Sequence, residues 1–181
     1  MWVLAIAARC PDPHRQRWRK TMNTRENIVK DLDIGFLPEA AVSGPVLFQD
    51  DLRTFLLFNA VRMTDQGRRD AAGIGVIEFD QCWLTKFGYP NDEALGGHPL
   101  ARNGLCAYGV FEVLSSSWIA STTEQNRVRF PATSDDTETR HFVFTFHDST
   151  FECLARGLEP RLDNRPFRDI VKDVTSKLAG G

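Results

Sequence analysis

The chain has 181 residues, 22 basic against 24 acidic side chains, and 42% apolar residues with 13 phenylalanines. That is enough chain for one domain with a sizeable core. It is too apolar and too nearly neutral for a disordered segment, and it lacks the basic excess of a dedicated nucleic-acid binder. No run approaches the ~20 apolar residues that cross a bilayer, so neither nucleic acid nor membrane is expected as a partner.

Charge is unevenly placed. Residues 1–21 carry Arg9, Arg15, Arg17, Arg19 and Lys20 against Asp12, a net +4, which leaves −6 on the remainder. Pro11 and Pro13 break any helix there. The segment reads as a basic, disordered leader ahead of a domain spanning 22–181. Either the natural start is Met22, or the leader is a tail that meets an anionic surface. The apolar start at Trp2–Ala8 lacks the basic flank and the length of a secretory signal. The four cysteines (Cys10, Cys82, Cys106, Cys153) are widely spaced with no CxxC. Cys82, Cys106 and Cys153 sit in apolar, strand-like runs, so buried reduced thiols and a cytoplasmic location are expected.

From Met22 the pattern predicts a short helix capped at Asn23 or Thr24 and running to about Leu32. Strands are predicted over 46–49 and 54–63. In the second, both parities are apolar, which marks a central strand. Residues 65–72 read as a turn ending at Gly73, and 74–87 as one long strand or two shorter ones. A loop rich in Gly and Pro covers 85–102, and loops this long inside a compact domain often carry function. A strand over 105–114, a helix over 117–127 capped by Ser117, and a charged loop over 131–139 follow. The last helix opens near Asp163–Arg165, with Pro166 at its first position. Ile170, Val174 and Leu178 form its apolar stripe.

The stretch His141–Ala155 is the most informative segment. It alternates as two strands about one polar turn. With Asp148-Ser149 as the turn, Phe146 faces Phe151, Phe144 faces Cys153 and Phe142 faces Ala155, giving a core face; a four-residue loop from His147 to Thr150 leaves these pairs unchanged. The other face carries His147 near Thr150, Thr145 opposite Glu152, and Val143 opposite Leu154. It is either solvated turn chemistry or a small pocket in which His147 acts as base or ligand, oriented by Asp148 or Glu152.

The second stretch is Gly88–Leu100. Asn91, Asp92 and Glu93 can simply cap a helical turn closed by Gly96. Alternatively Asp92, Glu93 and His98 meet His147 and Asp148 at the mouth of the sheet, where carboxylates and imidazoles perform acid–base work or hold a divalent ion. No spacing matches a known metal motif, and no GxSxG, P-loop or GxGxxG is present, so no metal and no cofactor are expected. Trp118, after three serines, lines a pocket or anchors a helix.

Asn91–Leu100, Tyr108–Val113 with Ser116–Ile119, and His141–Cys153 resemble the motifs of a family of small bacterial proteins of uncharacterised function, with NDEALxGHPL and HFxFTFHDSTFEC as its signatures. The resemblance covers about residues 45–157 and carries over no catalytic role. It implies that Asn91, Asp92, Glu93, His98, Glu112, Ser117, Trp118, His147, Asp148 and Glu152 belong to one constellation.

The expected fold is α+β: a mainly antiparallel twisted sheet or partly open β-barrel with two or three packed helices. Two functions fit. The first is a non-catalytic binding module for a small ligand or protein partner, with Asn91, Glu112, Trp118 and Glu152 as binding residues. The second is a hydrolytic enzyme, with or without a metal, drawing on His147, His98, Asp92, Glu93 and Asp148. Convergence of His98 and His147 in one pocket would favour the enzyme.

Overall fold

The computed structural model describes residues 27–180. The leader expected over 1–21 and the start of the helix expected from Asn23 lie outside the described residues. In chain order the elements are β1 (Ile28–Asp31), β2 (Leu37–Pro38), β3 (Val46–Gln49), β4 (Thr54–Met63), β5 (Arg69–Asp80), β6 (Leu84–Gly88), β7 (Val110–Leu114), α1 (Ser117–Arg129), β8 (Arg140–Thr145), β9 (Thr150–Ala155), β10 (Gly157–Asp163) and α2 (Phe167–Ala179). One sheet runs β1-β7-β8-β9-β6. The other runs β10-β5-β4-β2, with β3 also paired to β4. Every pairing is antiparallel. The α+β, antiparallel reading therefore holds, in the form of two sheets not closed into a barrel.

The sheets face each other across a phenylalanine-rich core. Leu56, Phe58, Ala60, Ile77 and Phe79 come from one; Val110, Phe142, Phe144, Phe151, Cys153 and Ala155 come from the other, with Phe146 from the turn. The rings meet mostly tilted or edge-on, for example Phe79 against Phe144 at 5.9 Å and 82°, the arrangement their quadrupoles favour. Burying each such side chain contributes about 1.5–3 kcal/mol. β4 is buried on both faces, as its two apolar parities predict. Its outer residues Phe55 and Leu57, with Val76 of β5, pack on Ile170 and Val174 of α2. The outer face of the first sheet is covered instead by the loop before β7, through Leu95, Leu100 and Leu105 on Phe111, Val113 and Val143.

Several local expectations are corrected. Residues 28–31 are a strand, not the tail of a helix: β-branched Ile28 and Val29 suit a strand, and Lys30 sits opposite Glu112 of β7. β5 begins at Arg69, so the turn is only 64–68, closed by Thr64 N–H on Arg68 C=O (2.8 Å). Residues 105–109 belong to the loop before β7. α1 is capped by Ser116, whose Oγ accepts from the Ile119 N–H, and α2 by Pro166 standing at the cap itself. In the hairpin, Phe144 faces Phe151 and Phe142 faces Cys153, two residues off the expected pairs. Phe146 instead closes the turn, its N–H donated to the Ser149 carbonyl at 2.8 Å. A shift of two preserves which side chains share a face, so the inward phenylalanine row stands. Cys82 and Cys153 are buried free thiols; Cys106 is half-buried, lies in a loop and is disulfide-bonded, so the reading of three reduced buried cysteines fails there. Among the described residues no helix is long and apolar enough to cross a membrane.

Phe144→Ala is expected to cost about 3–5 kcal/mol, whereas Phe130→Ala, 61% exposed after α1, should stay within about 1 kcal/mol. Urea unfolding of the two variants checks this; equal costs would contradict an inward phenylalanine row.

Candidate functional site

Because Phe142, Phe144, Phe151 and Cys153 point inward, the alternate residues His141, Val143, Thr145, Glu152 and Leu154 share the opposite face. That face is not solvated. His141 is 2% exposed and Glu152 7%. A buried carboxylate is costly unless paired, and Glu152 is paired on every side. Its Oε2 lies 3.0 Å from His141 Nε2, and its Oε1 lies 3.4 Å from His98 Nε2. Oε1 is also 3.5 Å from Nζ of Lys86, the residue directly across the β6–β9 ladder.

The hydrogen-bond network assigns the tautomers. His98 Nδ1 accepts the Leu100 N–H at 3.1 Å, so its Nε2–H faces the carboxylate. His141 likewise presents Nε2–H to Glu152, while its Nδ1 lies 2.9 Å from Ser116 Oγ and accepts the hydroxyl proton. Ser116 Oγ in turn takes the Ile119 N–H of α1 at 3.3 Å. The result is a directed relay, Ser116–His141–Glu152–His98, with each polar side-chain atom partnered. At its solvent edge, Lys86 Nζ sits 3.7 Å from the centre of the Trp118 ring, which meets His141 edge-on at 5.2 Å. Burial raises the Glu152 pKa, but the His141 and His98 donors and the Lys86 charge outweigh it and hold the carboxyl below the usual range.

A second group sits at the hairpin tip. The Asp92 N–H donates to the His147 carbonyl at 2.9 Å, Thr150 Oγ1 donates to the Pro90 carbonyl at 2.9 Å, and Thr145 Oγ1 donates to the Cys106 carbonyl at 2.7 Å. These three bonds strap the long loop to the turn. The Tyr108 hydroxyl donates to Asp92 Oδ2. Burial, then the Asp92 hydrogen bond and charge, push the Tyr108 hydroxyl up to about 12, so it stays protonated at neutral pH. His147 Nδ1 lies 2.9 Å from Asp148 Oδ1, and the Asp148 bond followed by the Asp92 charge raise its pKa.

Tyr108 also lines a cleft of about 840 Å3 at one end of the sandwich. Asp31 and Asp33 line it together with Arg62, Met63 and Arg69, with apolar wall from residues such as Phe36 and Phe111. The Arg69 guanidinium lies 5.9 Å from the Tyr108 ring centre. Tyr108 holds a left-handed backbone, φ +59°, uncommon for an aromatic residue and paid for by the bonds that fix its ring. A second cleft, about 700 Å3, lies between α1 and the 133–139 loop.

The residues expected to share one constellation thus divide into separate groups. His98, Glu152 and Trp118 join the buried relay. Asp92, His147 and Asp148 gather at the hairpin tip, with Glu93 exposed nearby. Asn91 caps its own turn, Oδ1 accepting the Ala94 N–H at 3.1 Å. Glu112 forms a two-pronged pair with Arg140, both contacts 2.7 Å. Ser117 bonds Asn27. His98 and His147 share no partner. Sequence reading missed Ser116, Lys86, Tyr108 and the role of His141; the shared parity of His141 with Val143 and Thr145 was the available signal. Among the described residues no three His, Cys, Asp or Glu side chains are grouped to hold a metal ion. Comparison of the chain with protein-family models, curated proteins and solved structures found no match.

Glu152→Gln should destabilise the fold by about 2–4 kcal/mol at pH 7, since it leaves buried imidazole donors without a carboxylate. A folded pKa held below the unfolded value near 4.3 contributes stability that is full above about pH 5 and lost as pH falls. The gap between wild type and variant should therefore narrow between pH 5 and pH 2, as measured by denaturant titrations across that range.

Proposed function

We propose that the chain is a non-catalytic binding module for a small ligand, held in the cleft beside Tyr108. One observation carries this reading: Ser116, His141, Glu152 and His98 are closed into a buried relay, His147 pairs at the exposed hairpin tip with Asp148, and the cleft is lined by charged and apolar groups suited to binding. Ser116 is 4% exposed, His141 2% and His98 8%, and their polar atoms are spent on each other. A general base must reach a substrate proton, and none of these three lines either cleft described above. The cleft lies within the size range of small-molecule sites and mixes apolar wall with a few charged groups. Cytoplasmic placement draws on Cys82 and Cys153, which remain free thiols in the same core; the disulfide at Cys106 weighs against it.

A hydrolytic reading is favoured by one specific feature. Ser116 stands at a strand–turn–helix junction, after Ser115 at φ +53°, in the order serine, imidazole, carboxylate that acyl-transfer enzymes use. It would need α1, which buries no residue of its own, to move aside.

Thermal-shift screening of a small-molecule library tests the binding reading. Hits at about 100 times Kd should stabilise by about 2.7 kcal/mol. They should be lost in Met63→Trp, which fills the cleft, and kept in Trp83→Ala. Treatment with a fluorophosphonate separates the two readings: no labelling is expected, and labelling of wild type that disappears in Ser116→Ala would show an activated serine and favour the hydrolytic reading instead.

A further inference from the structure

Two kinds of charge line the Tyr108 cleft without neutralising each other. Asp31 and Asp33 lie on and just after β1; Arg62 and Arg69 lie at the facing ends of β4 and β5. Among the described residues, none of these four forms an ion pair, so their nitrogen and oxygen atoms stay more than 4 Å apart. Elsewhere the chain pairs its arginines readily: Arg140 with Glu112, Arg156 with Glu138, and Arg161 and Arg165 with Asp163. This cleft carries a positive and a negative pair of side chains that are not ion-paired with one another, together with apolar wall.

Both poles are braced. Arg69 lies over the Tyr108 ring, itself fixed through Asp92. Asp33 Oδ1 accepts the Gly35 N–H at 2.8 Å, which orients its carboxylate. The guanidinium fork matches a carboxylate in geometry, and the aspartates match an ammonium. Val29, Leu32, Phe36 and Met63 supply apolar lining to the same cleft.

Building on the binding-module reading, we infer that the ligand is a zwitterion with an apolar middle, an amino acid or a short peptide, its carboxylate held by Arg62 and Arg69 and its ammonium by Asp31 and Asp33. The full chain is titrated calorimetrically with leucine, leucyl-leucine, N-acetyl-leucine and leucinamide. At least one of the two zwitterions should bind tenfold or more tightly than either singly charged relative, and which one wins separates a free amino acid from a peptide. Arg69→Ala should erase the advantage over leucinamide and leave leucinamide's own affinity unchanged. Asp31→Asn should erase the advantage over N-acetyl-leucine. Arg69→Lys, with unchanged melting temperature, controls for folding.

Equal affinity for all four compounds, or an advantage that survives both substitutions, overturns the inference. If the singly charged compounds bind as tightly and Met63→Trp abolishes that binding, the cleft remains a ligand site and only the ligand class is wrong. No binding by any of the four at millimolar concentration also overturns the zwitterion, leaving the module reading to the library screen.

Discussion

Packing of two phenylalanine-lined sheets against each other is the constraint from which the rest follows. Once Phe142, Phe144, Phe151 and Cys153 are committed inward, the pleat leaves His141, Thr145 and Glu152 no choice of side. That face is covered as well: Val143 and Leu154 are buried on it beside His141 and Glu152. The long loop before β7 and the first turn of α1 provide the cover, and polar residues of the hairpin tie them down. Core packing and the polar relay are in this sense one decision read from opposite faces of the same two strands.

The relay shows why a buried acid tolerates so dry a position. A carboxylate alone there would take up a proton or unfold its surroundings. Two imidazole N–H groups and one ammonium restore most of what water supplied. Such a cluster is weak evidence for net stability, because desolvation of its members offsets their attraction; what it does show is His98, His141 and the α1 cap Ser116 joined in one hydrogen-bonded chain. The cleft beside Tyr108 is different in kind. Its charges remain unsatisfied by one another, and its walls come from both sheets.

Much of the fold was legible in the chain, and the parts that were not share a cause. Alternation in β4 and in the hairpin announced buried faces because the period of two is local. The hairpin register was off by two because Asp148-Ser149 has no strong turn preference, whereas the phenylalanine parity survived any even slip. β10 went unseen: Glu159, Pro160 and Arg161 give an edge strand no apolar alternation, and it exists because β5 offers a free side. The site was less legible. His98 and Glu152 are 54 residues apart, and only the folded loop brings them together. His147 looked like the active imidazole because it sits beside Asp148 in the chain, while the informative one, His141, had no ionisable neighbour on its own face in sequence. The cleft combines β1, β4, β5 and the loop before β7, a juxtaposition no local pattern encodes.

α2 has a consequence for how the chain reaches this state. It follows every described strand in sequence, and among the described residues its Ile170 and Val174 pack over Phe55, Leu57 and Val76 on the outside of the second sheet. During synthesis that greasy surface is complete before its cover has been made. A nascent chain halted near Asp163 would display that apolar β-surface without its helical cover, the kind of exposed surface that promotes association.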